Sequence, residues 1–330
     1  MIAVLVTGSR GKSTVVRMIH RAMVACGLRA YGRITGVIPR TLTPSEEVPI
    51  LRYSGAHVEE MRWWIASLPP DVQGVVMENS AVSPELQHLA GSWLKPSVTV
   101  LTNVRPDHQD MWGDGEDNAA KALLKGIPKG STVVLGQEVS SCPLAMALID
   151  EAKWDVVVAP ATVGDTSYRA SNESIALKAC EVLGLDREVC LRAIRSLEAD
   201  LADFSLLKTD RGELAFAFSA NDLTTTEDLF RSLGWRREDA TVLFNHRRDR
   251  PERFRVFRPW LDREGWKERI VIGDRPFFIG RSRYVRCLGA EDLKALVDSK
   301  GLVFGCGNVV YGAPLELKLF RESLETLILG

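Results

Sequence analysis

Cysteine is scarce in this chain, and long apolar runs and an excess of charge of one sign are missing. The six cysteines among 330 residues are scattered, with no C-x-x-C pair, which predicts reduced thiols in a cytosolic protein rather than a disulfide-stapled scaffold. No apolar run approaches the ~18–20 residues that span a bilayer, and no signal peptide is recognisable. The net charge of −1 argues against nucleic acid as a partner.

What the chain does contain is an ordinary globular composition, with 45% hydrophobic and 26% charged residues. Its length predicts about two α/β domains, residues 1–204 and a smaller Rossmann-like domain of residues 205–330. Strand and helix signals alternate in the first domain, which predicts a parallel sheet of about five strands with crossover helices. One less regular stretch is interpreted as a loop at the mouth of a site; it carries Gly32, Gly36, Pro39 and Pro44.

A phosphate-binding loop follows the first predicted strand, in the segment IAVLVTGSRGKST. Its glycines let successive N–H groups face one anion, its lysine adds a mobile cation, and its hydroxyls suit Mg²⁺. A helix predicted to begin at Val15 turns its positive end towards the same anion. The spacing G-x-x-G-K-S-T is shorter than that of the usual loop. The sequence therefore predicts a nucleoside triphosphate site formed by Gly8, Ser9, Arg10, Gly11, Lys12, Ser13 and Thr14.

Two further predicted strands end in polar residues at the same edge of this sheet. GVVMENSAV leads into Glu78, and SVTVLTNVRPDHQD leads into Asn103, Asp107, His108 and Asp110. Glu78 is interpreted either as a carboxylate paired with a nearby cation or as a Mg²⁺ ligand. His108, flanked by aspartates, is a candidate ligand of a second divalent ion. A zinc site is not expected, because no further His or Cys is suitably spaced.

Polar and basic residues also follow the strands of the second domain. Asp222 either caps the next helix or contacts nucleotide or substrate. The segment NHRRDRPERFRVFR has six arginines and two acids, and it is interpreted as a solvated surface or as a site for an anionic substrate. The candidate substrate-binding residues here, which follow the carboxyl end of a predicted strand, are His246, Arg247 and Arg248. In the first domain, Lys121 is interpreted as a solvent-exposed side chain on a helix over 116–125.

Three segments, GSRGKST, MENSAVSPELQ and TNVRPDHQDMWG, resemble motifs of the Mur ligase superfamily in the same order. Within it the chain is similar to the ligase subunit of poly-γ-glutamate synthase (the CapB/PgsB type), whose segments read G-T-R-G-K-S, M-E-x-x-A-V-x-P-E and T-N-V-R-x-D-H-x-D. FSANDLTTTEDLF and FNHRRDRPERF resemble second-domain segments of that subfamily more loosely. Because the phosphate loop begins at residue 8, we expect no N-terminal UDP-binding domain of the kind found in cell-wall Mur ligases.

The resemblance implies an ATP-dependent amide ligase, in which an acyl phosphate is formed and then attacked by an amino acid. It implies glutamate and an anionic γ-glutamyl chain as substrates, ATP and two Mg²⁺ ions as cofactors, and membrane-protein subunits as partners of a cytoplasmic chain. Lys12, Glu78 and His108 would be catalytic, with Ser13, Glu78 and His108 as metal ligands. Asn103 and Asp222 would contact the nucleotide, and Asn221 and Arg250 would join His246, Arg247 and Arg248 in binding substrate. Lys121 falls where Mur ligases have a carbamylated lysine that bridges Mg²⁺.

Other functions share parts of this pattern. A folylpolyglutamate-like enzyme or another Mur-type amino-acid ligase would have the same site and a different substrate. A P-loop kinase of a small metabolite would need no amine substrate, and a nucleotide-dependent switch would respond to a protein partner. The sequence leaves open the stereochemistry of the amino acid, the direction of chain growth and whether the chain forms a homo-oligomer.

Overall fold

The computed structural model describes residues 1–36, 38–51, 56–162, 167–200, 203–220, 222–263, 265–310 and 312–319, and the backbone of 326–327. The chain divides into two compact units, Met1–Glu198 and Ala199–Gly330, close to the boundary expected near residue 205. Within the described ranges, no helix is long and apolar enough to cross a membrane. All six cysteines are free thiols, of which Cys26 is half-buried and the others are buried.

The first unit is a sheet covered by helices. Its strands are β1 (Ile2–Thr7), β2 (Ala30–Ile34), β3 (Arg40–Leu42), β4 (Glu47–Pro49), β5 (Gly74–Glu78), β6 (Val98–Leu101), β7 (Thr132–Leu135) and β8 (Val156–Val158). Its helices are α1 (Lys12–Ala25), α2 (Glu60–Ala66), α3 (Gln87–Leu94), α4 (Gln109–Trp112), α5 (Glu116–Leu124), α6 (Pro143–Ala152), α7 (Tyr168–Val182) and α8 (Arg187–Arg195), with a 3₁₀ helix over Gln137–Ser141.

Eight strands of the described first unit form one sheet in the order β4-β3-β2-β5-β1-β6-β7-β8. The strands from β2 to β8 in this order are parallel to one another, while β3 and β4 extend the edge antiparallel. The prediction of about five strands was wrong, because β2, β3 and β4 lie in the stretch interpreted as a loop. Arg33 in β2 is wholly buried and donates to Glu60 Oε2 at 2.9 Å, so a charge typical of a loop lies inside this strand.

Helix α1 begins at Lys12, three residues before the predicted start at Val15. Gly11 has φ 78°, a left-handed conformation that turns the chain from the loop directly into the helix. Apolar side chains of α1 then recur at helical spacing and are buried against the sheet and against α7 and α8: Val15, Val16, Met18, Ile19, Ala22 and Met23.

The second unit is also an α/β layer structure. It consists of β9 (Ser205–Lys208), β10 (Glu213–Phe216), α9 (Leu223–Ser232), β11 (Ala240–His246), α10 (Pro251–Leu261), β12 (Glu268–Gly273), β13 (Arg283–Tyr284), α11 (Ala290–Lys300), β14 (Leu302–Gly307), α12 (Ala313–Leu319) and β15 (Thr326–Leu327). In its described part, seven strands have the order β13-β12-β11-β14-β10-β9-β15, and only the pairings of β9 are antiparallel.

An aromatic cluster forms much of the core of the second unit. The ring of Phe230 packs edge-on against Trp266 and Phe304, with centroids 4.8 and 5.2 Å apart. Trp260 lies 5.1 Å from Trp266, again edge-on, which is the arrangement that ring quadrupoles favour. These contacts join α9, α10 and β14.

Candidate nucleotide and metal site

The carboxyl ends of β1, β5 and β6 lie side by side, because β1 pairs in parallel with both of the other strands. Val6 is opposite Glu78, and Thr7 is opposite Leu101. The loop after β1, the carboxylate that ends β5 and the polar residues after β6 therefore meet at one edge of the sheet. Ligands of open parallel sheets bind at such an edge.

The phosphate loop approaches the segment after β6 closely. Gly8 has φ 131°, and a Cβ at this position would lie 2.1 Å from Thr102 Oγ1. Thr102 Oγ1 in turn donates to the carbonyl oxygen of Arg10 at 2.6 Å. Only glycine fits here, because both the backbone conformation and the space exclude a side chain.

Side chains and backbone of residues 102–107 hold the loop in place. Ser9 Oγ donates to the Arg105 carbonyl at 2.5 Å, and the Arg10 N–H donates to Asn103 Oδ1 at 3.1 Å. The Arg10 guanidinium also forms an ion pair with Asp107 Oδ2 at 2.5 Å. Asn103, predicted to contact nucleotide, thus binds the backbone of the loop with its side chain.

Lys12 lies against the loop that it follows. Its Nζ donates to the Gly8 carbonyl at 2.7 Å. Burial lowers the pKa of Lys12, the charges of Glu78 and Asp107 raise it, and Arg10 lowers it again; the net direction is below the ordinary value. The ammonium is therefore held in a partly desolvated position against the loop. In this position Lys12 and the N–H groups of the loop can bind the same phosphate group.

Glu78 is the buried acceptor at the centre of this edge. Its side chain is buried, and its Oε2 accepts a hydrogen bond from Ser13 Oγ at 2.7 Å. Its Oε1 accepts hydrogen bonds from both the backbone N–H and the hydroxyl of Thr35. Sequence reasoning missed Thr35, which follows β2 directly. The available signal was a hydroxyl residue next to Gly36 within the stretch interpreted as a loop.

The oxygens around Glu78 suit a hard divalent cation. Hydroxyls of Ser13 and Thr35 and the carboxylate of Glu78 converge, and oxygen ligands of this kind are those that Mg²⁺ prefers. Across the described residues, no cluster of three His, Cys, Asp or Glu side chains could hold a metal ion. A cation here would therefore be bound by few protein ligands and share its remaining positions with phosphate and water, which is typical of Mg²⁺ at triphosphates.

His108 lies beside Asp107, at the start of α4. Its backbone is left-handed, with φ 42°, and its Nε2 lies 3.6 Å from Asp107 Oδ2. Burial raises the pKa of Asp107, but the charges of Arg10 and His108 outweigh it, so that the pKa lies below its ordinary value. Asp107 thus connects His108 with the phosphate loop. The role of His108 at a second metal ion stays a prediction.

Lys121 lies on α5 with an exposed side chain. The buried residues of this helix include Ala119, Ala120 and Leu123, which pack towards the core. Exposure agrees with the interpretation of Lys121 as a solvated side chain, and carbamylation stays a prediction.

In the second unit, Asp222 caps α9. Its Oδ1 accepts from the Thr225 N–H at 2.8 Å, and its Oδ2 accepts from the Thr225 hydroxyl at 2.8 Å. These capping hydrogen bonds occupy both oxygens of the Asp222 carboxylate and explain its position without a nucleotide contact. Asn221, also predicted to bind substrate, lies outside the described residues.

The structure separates the predicted substrate residues of the second unit into different environments. His246, at the end of β11, is buried, with Nδ1 2.8 Å from the Asp274 carbonyl oxygen. The Arg247 guanidinium is bidentate on Asp249, at 2.9 and 2.6 Å. Arg248 and Arg250 are exposed. The guanidinium of Arg247 is therefore already paired with a carboxylate of its own turn.

Comparison with known proteins agrees with this geometry. The chain is 27% identical over 299 residues to PGA synthase CapB of Bacillus subtilis (strain 168), covering 83% of this chain and 75% of that protein. It is 28% identical over 277 residues to capsule biosynthesis protein CapB of Bacillus anthracis, covering 78% of this chain and 59% of that protein. A bifunctional folylpolyglutamate synthase/dihydrofolate synthase solved with Mn, AMPPNP and L-glutamate has the same fold, with a TM-score of 0.69 at 14% identity over 96% of this chain and 89% of the other.

The class of protein is that of the ATP-dependent amide ligases, as the phosphate loop, the buried carboxylate and the second α/β unit together indicate. The model of the Mur ligase middle domain matches residues 6–178, which is more than half of the chain. The model of the poly-gamma-glutamate synthase CapB C-terminal domain matches residues 204–324. The chain therefore belongs to the Mur ligase family, and its second unit is similar to that of the CapB synthases.

Proposed function

We propose that this ligase adds glutamate to a γ-linked glutamyl chain through an acyl phosphate, with release of ADP and phosphate. The observation that carries the chemistry is the convergence of Lys12, Ser13, Thr35 and Glu78 at the loop after β1. The choice of substrate is supported by the match of residues 204–324 to the CapB C-terminal domain. The candidate substrate-binding residues Arg247, Arg248 and Arg250 belong to this same unit, and their charge suits an anionic substrate.

In the first step, a carboxylate oxygen of the acceptor attacks the γ-phosphorus of ATP, and ADP leaves. The loop N–H groups and Lys12 bind the phosphates and stabilise the charge of the transferring group. Ser13, Thr35 and Glu78 would hold Mg²⁺, which when bound neutralises phosphate charge that would otherwise repel the acceptor. We propose His108, oriented by Asp107, as a ligand of a second ion.

In the second step, the amine nitrogen of the incoming glutamate attacks the acyl carbon. The bond from this carbon to the phosphate oxygen breaks, phosphate leaves, and the nitrogen loses a proton to form the amide. Arg247, Arg248 and Arg250 of the second unit would hold the carboxylates of the substrates, because a guanidinium binds a carboxylate by two parallel hydrogen bonds.

The test is release of ADP by the purified protein with Mg²⁺ and ATP. L-glutamate, D-glutamate or neither would be added, each with and without a short γ-linked primer, and products would be read by mass spectrometry. We expect ADP release that depends on glutamate and primer, with products that grow by glutamyl units. Release without growth would indicate that growth needs partner subunits, for which we propose membrane proteins that keep the chain at the membrane surface. A phosphorylated small molecule as the stable product would contradict the proposal.

A folylpolyglutamate-like activity is the second candidate, because the fold matches that of folylpolyglutamate synthase. The same assay separates the two when a reduced folate replaces the γ-linked primer. ADP release and glutamylation of the folate alone would favour the second candidate.

A further inference from the structure

A cavity of about 400 Å³ lies in the second unit, where β11 and β12 end and α10 begins. Its lining combines basic and aromatic side chains: His246, Arg248, Pro251, Phe254, Arg275, Pro276, Phe277 and Phe278. Half of these residues belong to the segment after β12, which the sequence-based site prediction did not include. No step of the reaction proposed above uses that segment.

Two guanidinium groups border this cavity. Arg275 is exposed, with its guanidinium 5.8 Å from the ring of Tyr284. Arg248 is also exposed, and its backbone N–H donates to Asp274 Oδ2 at 2.7 Å, which anchors the turn that carries it. Asp274 and Asp249 lie in the adjoining pocket, together with Arg247 and Arg248. The eight residues that line the cavity itself include two guanidinium groups and no carboxylate.

The aromatic part of the lining is unusually open to solvent. Phe277 is completely exposed and Phe278 is 63% exposed, whereas Phe254 is buried. The Arg258 guanidinium lies 5.1 Å from the ring centre of Phe278, which holds this ring in a basic environment. Adjacent exposed phenylalanines form a contiguous apolar patch, and such patches are typical of ligand-binding and interaction sites. A ligand for this cavity should thus offer both negative charge and apolar surface.

We propose that this cavity binds the γ-glutamyl chain itself, as a subsite for several units of the polymer; this rests on the proposed function. Each γ-linked unit presents one carboxylate followed by a short methylene segment. Arg248 and Arg275 would bind successive carboxylates, and the rings of Phe277 and Phe278 would cover the methylenes. Free glutamate is a poorer ligand, because its ammonium group is repelled by the same arginines.

Calorimetric titration of the full chain with γ-linked tetraglutamate, without ATP, tests the proposal. We expect binding that weakens with salt and is much tighter than that of free glutamate. Arg275→Gln and Arg248→Gln should each weaken binding about tenfold, the equivalent of losing one charged hydrogen bond. Arg255→Gln is the matched control: it removes the same charge from α10, where Arg255 is exposed and pairs with Glu252 at 2.6 Å. Phe277→Ser should weaken the binding of γ-linked tetraglutamate more than the binding of free glutamate.

Absence of tetraglutamate binding, equal affinity for free glutamate, or an equal loss in Arg255→Gln would overturn the subsite. Its failure is distinguishable from failure of the proposed function. A chain that ligates glutamate normally while Arg275→Gln binds tetraglutamate as the wild type does would contradict the subsite alone. A chain that binds tetraglutamate through Arg275 but releases no ADP in response to glutamate would contradict the ligase activity alone.

Discussion

Ser13 Oγ donates a hydrogen bond to Glu78 Oε2 across 2.7 Å, joining the first turn of α1 to the end of β5. These residues are 65 positions apart in the sequence and meet because β1 and β5 are neighbours in the sheet. The same carboxylate is held on its other oxygen by Thr35. A buried carboxylate fixed by neutral donors on both oxygens is prepared to receive a cation without rearrangement of its backbone.

Replacement of Glu78 by Gln should abolish most of the activity. The amide fills the same space, but it has one acceptor oxygen where the carboxylate has two, and it lacks the charge that favours Mg²⁺. We expect kcat/KM to fall on the order of 10²-fold or more, as for loss of a group that stabilises transition-state charge. Steady-state ADP release over a Mg²⁺ series measures this. Glu85→Gln is the control, because Glu85 lies exposed after the same strand; a similar loss there would contradict the role of Glu78.

Thr35→Val should weaken metal binding while the fold is retained. Valine keeps the backbone N–H that donates to Glu78 but loses the hydroxyl. Loss of such a supporting group costs about 10–100-fold in metal affinity. Binding of Mn²⁺ in the presence of a non-hydrolysable ATP analogue, followed by electron paramagnetic resonance, gives the affinity directly. Thr35→Ser should restore it, and a Ser variant as weak as the Val variant would show that the hydroxyl is not responsible.

Asp107→Asn should loosen the phosphate loop. The substitution removes the charge that pairs with Arg10 at 2.5 Å. Hydrogen bonds to charged groups contribute about 1.5–3 kcal/mol, so ATP affinity should fall about tenfold or more if the loop must be ordered again on binding. Titration calorimetry with ATP alone measures this. Asp114→Asn, at an exposed aspartate, should bind ATP as the wild type does. A Kd for ATP that is unchanged in Asp107→Asn would contradict the role of the ion pair between Arg10 and Asp107 in ordering the loop.

Lys121→Ala should keep nearly full activity, because the side chain is exposed on α5. A carbamylated lysine behaves differently: its removal abolishes the reaction, and a small carboxylate added to the assay restores part of it by replacing the carbamate. ADP release by Lys121→Ala with and without acetate distinguishes the two. Rescue by acetate would establish that Lys121 is carbamylated and would contradict the solvated interpretation.

Sequence alone predicted the phosphate loop and its neighbours because their signals are local. A buried run followed by glycines defines β1 and its loop, and a charged residue after an apolar run marks the end of β5. The edge strands β2 to β4 were not predictable in this way. Strand β2 pairs with the distant strand β5, where Ala30 lies opposite Gly74, and its Arg33 pairs with Glu60, 27 positions away. Strands β3 and β4 have only three residues each and pair in turn with β2 and β3. Thr35 was missed with them.

The second unit shows a different limit. Asp222 fits a helix cap and a ligand-binding residue equally well in the sequence, and only the hydrogen bonds to Thr225 show what its carboxylate does in the structure. The basic segment was recognisable by composition, but which arginine pairs with Asp249 and which faces a cavity depends on the turn after β11. Arg275 has no local signal at all, since it reaches the same cavity from the segment after β12.

His20 should make the stability of the first unit depend on pH. This side chain of α1 is buried, with Nε2 3.1 Å from the Ala30 carbonyl oxygen. Burial lowers the pKa of His20 from 6.5 to about 4, against smaller opposing effects of the Ala30 carbonyl and Glu47, while Arg21 adds to the lowering. As the pH falls below 6.5, the unfolded chain takes up a proton that the folded chain refuses until about pH 4. Stability is therefore lost across this window and is fully present above it.

Because of His20, the free energy of unfolding at pH 4 should be about 3 kcal/mol lower than at neutral pH. His20→Gln keeps an N–H donor for the Ala30 carbonyl and does not titrate, so it should remove this part of the pH dependence. Urea unfolding of both proteins at pH 7.5, 6, 5 and 4 gives their free energies of unfolding. Because every other group titrates in both proteins, only the change in the difference between them reports on His20. A difference that stays constant from pH 7.5 to pH 4 would show that His20 is protonated as readily in the folded chain as in the unfolded one.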